Sequence, residues 1–160
     1  MNTKWLMLMI PFSATLNAGT VMTSPPAVED FLYAIRQVES GDRYDGPVGR
    51  AGELGPYQFG RGVWRQYTDA PFSGARTPMA DEVAVRHFWR TVERLKSHGI
   101  EATAWNLAAA WNSGVRAVLS GRIPRSTRDY AMRVVNLTEY AAGQRGRSAH
   151  EPAAALAAGG

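Results

Sequence analysis

From Ser24 to Ala142 the apolar residues recur at the three- and four-residue spacing of helices, and glycine or proline closes off each recurrence. Phe31, Ile35 and Val38 form a first stripe, opened by Ser24 as N-cap, Pro25 at the first helical position and the early acids Glu29 and Asp30, and stopped by Gly41 at a left-handed cap position. "RGVWRQY" from Arg61 begins a second helix. Thr77 and Pro78 open a third that runs to about His98, with Phe88, Val92 and Leu95 as its stripe and Gly99 as its stop. "EATAWNLAAAWNSG" is a fourth, rich enough in alanine for another backbone to approach closely, and "GVRAVLSG" adds a helical turn ending at Gly121. "STRDYAMRVVNLTEYAA" is the fifth, with Tyr130, Val134 and Leu137 on one side. Between the first two helices, residues 42–60 are dense in Gly, Pro and Asp and read as loop with short extended pieces. From about Gly143 the chain is low in complexity and carries no burial pattern, as a flexible tail would. The pattern predicts one mainly α domain of about five helices at 24–142, followed by a tail at 143–160.

Composition then removes whole classes of chemistry. The chain of 160 residues suffices for one well-cored domain, and its 45% hydrophobic and 20% charged content is that of a globular protein. With no cysteine there is no disulfide framework, thiolate nucleophile or cysteine zinc site. His87, His98 and His150 are too scattered for metal-ligand spacing, so neither metal nor cofactor is expected, and His87 and His98 read as surface residues of the third helix. The net charge is +4, and no run of Lys and Arg or RNA-binding signature accompanies it, so nucleic acid is not an expected partner. Residues 1–18 join Lys4, the apolar run "WLMLMIPF" and a small residue at Ala18, which is the order of parts in an export signal. That run falls short of the ~20 apolar residues of a membrane span. A cleaved signal and a periplasmic or secreted domain held together by packing alone are expected.

Glu39 is the residue that stands out. Phe31, Ile35 and Glu39 are spaced i, i+4, i+8, so the carboxyl continues the buried stripe, and it does so at a helix C-terminus. Partial desolvation and the negative end of the helix dipole both disfavour the carboxylate, and both raise its pKa. An acid still protonated near neutral pH can donate a proton to a glycosidic oxygen.

Four short motifs follow in order: "VESG" at 38–41, "GELGPYQF" at 52–59, "AAWNSG" at 109–114 and "STRDYAMRV" at 126–134. In this order and at these intervals they resemble the catalytic domain of the lytic transglycosylases, a goose-type-lysozyme-like α domain that acts on peptidoglycan. The resemblance implies a lysozyme-like fold around a glycan cleft. It implies Glu39 as the catalytic acid and base, with Ser40 beside it holding the sugar or the carboxylate. Gly52, Gly55 and Gln58 match the second motif, Asn112 and Gly114 the third with Trp111 in place of its tyrosine, and Tyr130 the late-helix tyrosine that approaches the catalytic carboxyl. Pro56 and Tyr57 replace the family's usual Leu-Met, and Tyr57 is expected to stack on a sugar ring; Ser126 stands where a glutamate is usual. The glycines of the loop would let backbone approach a polysaccharide, Gln58 and Asn112 would meet acetamido groups, and Trp111 would share the cleft, whereas Trp64 and Trp105 read as core.

The activity implied is cleavage of the β-1,4 bond between N-acetylmuramic acid and N-acetylglucosamine with 1,6-anhydromuramyl ends, performed by a monomer on peptidoglycan strands, with cell-envelope machinery as a further partner. Two alternatives stay open. A hydrolytic lysozyme would use Asp42, Asp45 or Glu53 to position water. A non-catalytic glycan-binding module would keep the cleft and do no chemistry.

Overall fold

The first helix, α1 (Val28–Ser40), begins later than its sequence suggests. Pro26 disfavours helical geometry at Pro25, and Pro25 does the same at Ser24, so the cap position passes to Ala27, which offers no side-chain acceptor. Glu29 and Asp30 still occupy the first turn, where the helix dipole favours acids. At the other end Gly41 takes φ +65°, and the N–H groups of Gly41 and Asp42 close onto the carbonyls of Gln37 and Arg36. Phe31 and Ile35 are fully buried, as the stripe requires.

The computed structural model describes residues 24–157, and side chains through residue 148. The export signal expected at 1–18 therefore lies outside the described residues. Six α-helices and no strand occur among the described residues: after α1 come α2 (Arg61–Trp64), α3 (Met79–Lys96), α4 (Ala104–Ser113), α5 (Val115–Leu119) and α6 (Arg125–Ala157). A 3-10 turn at Phe72–Arg76, for which the sequence gave no periodic signal, fills the link between α2 and α3. The loop from 42 to 60 holds one short extended piece, an antiparallel bridge between Leu54 and Phe59. Thr103 caps α4 by accepting a hydrogen bond from the Asn106 N–H at 3.2 Å.

Two helix pairings organise the molecule, with α6 lying along both α1 and α4. The α4 contact uses the alanine run: Ala108, Ala109 and Ala110 are buried, and their small side chains admit the neighbouring helix. Beneath these helices the aromatic residues form one continuous cluster. Phe31 meets Phe88 at 5.3 Å between ring centroids, and Tyr57, Phe59 and Trp111 stack at 5.5–6.1 Å. Trp64 is fully buried and its indole N–H donates to the Ala70 carbonyl at 3.0 Å. Burying each such side chain stabilises the fold by about 1.5–3 kcal/mol.

The expected tail is corrected at its start. The last helix does not stop near residue 142 but continues to Ala157, in a stretch of Ala, Gln and Arg that favours helix despite Gly143 and Gly146. Arg145 reaches back to α1, hydrogen-bonding the buried Asp30 and lying 3.7 Å from Glu29. No described helix is long and apolar enough to cross a membrane.

Candidate active site

Where α1 ends, the 42–60 loop turns back over the aromatic cluster and leaves a cleft of about 410 Å³. Its lining joins Glu39 from α1, Gly49, Arg50, Glu53, Gln58, Phe59 and Gly60 from the loop, Val63 from α2, His87 from α3, and Trp111 and Asn112 from α4. Five separate stretches of chain thus converge on one polar depression with an aromatic floor.

Glu39 is half-buried there, and the buried Tyr130 of α6 donates its hydroxyl proton to Glu39 Oε1 at 2.7 Å. Burial pushes the Glu39 carboxyl up to about 7; the charge of Glu53 adds to the rise, while the Tyr130 hydrogen bond and the Arg133 charge oppose it. Desolvation wins because a single donor cannot replace the water that a carboxylate loses. With Oε1 occupied by Tyr130, the proton of the acid form sits on Oε2, the oxygen left for a substrate. Tyr130 itself is pushed up by burial and by Glu39, so it remains a donor.

The loop over the cleft is fastened at several points. Ser40 donates to the Pro56 carbonyl at 3.1 Å and accepts from the Arg43 N–H at 3.0 Å. Tyr57 is buried, accepts from Arg36 at 3.0 Å and donates to Asp81 of α3 at 2.7 Å. Tyr44 also donates to Asp81, and Arg76 donates to the Gly46 carbonyl at 3.2 Å. Gly55, at φ +78°, sits so close to the 3-10 turn that a Cβ would lie 1.7 Å from the Ala75 carbonyl oxygen.

These contacts revise several expectations. Tyr57 is not a sugar platform: its ring packs into the core and its hydroxyl bridges α1 and α3. Ser40 does not face the cleft either, and spends its hydroxyl on tying the helix end to the loop. Gly55 serves close approach within the protein, not approach to a polymer. Gln58 does line the cleft, but its amide donates inward to the Gly55 carbonyl at 3.0 Å and the Pro47 carbonyl at 3.4 Å, so only its oxygen is left to offer. Glu39, Trp111, Asn112 and Tyr130 are brought together as the sequence suggested. Asn112 accepts from Thr127 at 2.7 Å, which joins the end of α4 to the start of α6 and leaves its amide N–H groups without a partner among the described residues.

His87 is the residue that the sequence misplaced. Instead of lying on the helix surface, it is half-buried in the cleft wall, edge-on to Trp111 at 4.6 Å and hydrogen-bonded to the Tyr67 hydroxyl at 2.8 Å. Burial, with the charges of Arg90 and Arg94, lowers its pKa to about 4, so it is neutral over the physiological range. The signal was present in spacing alone: His87 lies four residues before Thr91 and one before Phe88, at the edge of the α3 stripe. His98 is exposed, as expected.

Of the three acids considered as a second carboxylate, only Glu53 lines the cleft, where its Oε2 accepts from the Ala51 N–H at 2.9 Å. Asp42 is taken by Arg36 at 2.6 Å, and Asp45 is almost fully exposed beside Arg43. Among the described residues no group of His, Asp and Glu side chains is arranged to hold a metal ion.

Fold and site together define a mainly α domain whose cleft presents one half-buried carboxyl held by a tyrosine. No family model matches this chain, and no curated protein or solved structure matches it either.

Proposed function

We propose that the protein is a peptidoglycan lytic transglycosylase, a glycan-cleaving lyase of the cell wall with a lysozyme-like fold, acting outside the cytoplasm. The observation that carries this is Glu39: a carboxyl raised to about 7 in a polar cleft, oriented by Tyr130 and with no hydrogen-bond partner at its second oxygen among the described residues. In its acid form Glu39 gives the Oε2 proton to the glycosidic oxygen as the bond to the muramyl C1 breaks, and N-acetylglucosamine leaves with a free 4-hydroxyl. The resulting carboxylate takes the proton of the muramyl C6 hydroxyl while O6 bonds to C1, which closes the 1,6-anhydro ring. Glu39 ends protonated as it began, and no water, metal or cofactor enters the balance. One group serves as acid and base in turn, so its pKa belongs near the working pH. Trp111 supplies an aromatic edge for a sugar, and the Asn112 amide offers donors for an acetamido oxygen.

A hydrolytic lysozyme is favoured by one observation, the presence of Glu53 in the same cleft. An inverting hydrolase needs such a second carboxylate to activate water. Glu39→Gln should abolish cleavage of purified peptidoglycan while leaving the helical spectrum unchanged; wild-type turnover in that variant removes the assignment. Products of the unmodified chain, weighed by mass spectrometry, should carry anhydro ends one water lighter than reducing ends. Asp42→Asn and Asp45→Asn should each lower the rate by about tenfold at most, a loss that positioning accounts for. A loss near a thousandfold in Glu53→Gln, with reducing ends in the products of the unmodified chain, transfers the case to the hydrolase.

A further inference from the structure

Beside the main cleft, across Trp111 and His87, lies a side chamber of about 260 Å³, which shares Val63, His87 and Trp111 with it. The two are therefore immediate neighbours on the molecule. Two of its lining residues, Arg90 and Arg94, are one turn apart on α3 and face the same way. No carboxylate lines the chamber, and neither arginine forms an ion pair among the described residues. Like charges at this spacing disfavour the helix slightly; Arg94 suits the last turn of α3, where the helix dipole favours a cation, but Arg90 does not gain in that way. Its surroundings add no charge: Tyr67 and His87 are hydrogen-bonded to each other, and Arg90 is held with its guanidinium 5.7 Å over the Tyr67 ring. The main cleft mixes Glu39 and Glu53 with Arg50, whereas the charges that line the chamber are both basic.

We propose that this chamber is a carboxylate-binding subsite, in which Arg90 and Arg94 receive the acidic group that a muramyl residue carries off its ring. The proposal rests on the main cleft being a glycan site, and it adds a direction: an acid is drawn towards Arg90 and Arg94 on α3, so the strand is seated with one polarity. N-acetylglucosamine has no acidic group, which lets the chamber tell the two alternating sugars apart. The acid has two sources, the lactyl carboxyl of a peptide-free muramyl residue or a carboxyl of its stem peptide, and both suit paired guanidinium groups.

The test titrates N-acetylmuramic acid, N-acetylglucosamine and muramyl dipeptide into the full chain by calorimetry or NMR. None of these has a bond for the enzyme to cut, so the measurement is independent of cleavage. At least one of the two acidic ligands should bind about tenfold more tightly than N-acetylglucosamine, and added salt should erase the difference. A gain seen with N-acetylmuramic acid assigns the lactyl carboxyl, and a gain seen only with muramyl dipeptide assigns the stem. The double variant R90Q/R94Q should lose the preference, and R90K/R94K, which keeps the charge, should retain part of it and guards against a folding defect. Equal binding of all three ligands, or a preference unchanged in R90Q/R94Q, overturns the subsite. A chain that prefers the acidic ligands yet cuts no peptidoglycan overturns the transglycosylase assignment instead.

Discussion

Glu39 costs the protein stability at pH values above the ordinary carboxylate range. Its carboxyl titrates near 7 in the native state against an ordinary 4.5. Between those values the native state holds a proton that the unfolded chain has released, so stability falls as pH rises through the window, and above 7 the whole penalty is present. At about 1.4 kcal/mol per pH unit, and discounted for the partial exposure of Glu39, the penalty is on the order of 2 kcal/mol. Denaturant melts should therefore find Glu39→Gln more stable than the wild type by about 1–3 kcal/mol at pH 8, with little difference at pH 4. On the proposed mechanism activity has the matching sign: the acid form would be the proton donor, so the rate should fall as pH rises through about 7. Tyr130 opposes the shift through its hydrogen bond, so Tyr130→Phe should move that alkaline limb to higher pH while lowering the maximal rate by about tenfold. A limb that stays in place would show that Tyr130 does not set the charge of Glu39. The position of Glu39 was legible because a carboxyl at i+8 of an apolar stripe has few neutral explanations. The roles of Ser40 and Tyr57 were not, because a hydroxyl beside a motif reads the same whether it faces substrate or the underside of a loop.

Among the elements, the 42–60 loop carries the site without any regular structure of its own. Sequence punctuation by Gly, Pro and Asp marks it as loop but says nothing of where it folds back, since its fastenings come from Arg36, Asp81 and Arg76, up to 37 residues away in the chain. The helices were read more fully: the stripes of α1, α3 and α6 match their buried faces, because period and burial are two aspects of one constraint. The 3-10 turn escaped because five residues cannot display a period. Its contact with the loop gives a sharp contrast between two glycines. Gly55→Ala forces a methyl group onto the Ala75 carbonyl and should destabilise by several kcal/mol or abolish folding. Gly52→Ala, at φ +87° with open space around it, meets only backbone strain and should cost about 1–2 kcal/mol. Thermal unfolding of the two variants makes the comparison, and equal losses would mean that the 3-10 turn yields to the loop.

At the scale of the whole molecule, α6 closes the fold twice, once by supplying Tyr130 to the cleft and again by sending Arg145 to the buried Asp30 at the start of α1. Nothing in the sequence pattern announces the second closure, because an arginine between two glycines has the composition of a linker. Ending the chain after residue 142 removes the partner of a buried carboxylate, and should lower stability by about 1–3 kcal/mol with the cleft otherwise unaltered. Ending it after residue 148 keeps Arg145 and should leave the melting temperature almost unchanged. The fastening of the loop to α1, α3 and the 3-10 turn has a last consequence, for time rather than energy. A cover that swings aside to admit a ligand exchanges its amide protons for solvent deuterons long before the molecule unfolds. Leu54 and Phe59 give their N–H groups to each other's carbonyls at 3.0 Å, on either side in the chain of the tied residues Pro56 and Tyr57. Their deuteration should proceed at nearly the pace of the slowest core amides, so on the proposed function a glycan strand would meet a groove already open, with no gate to wait for.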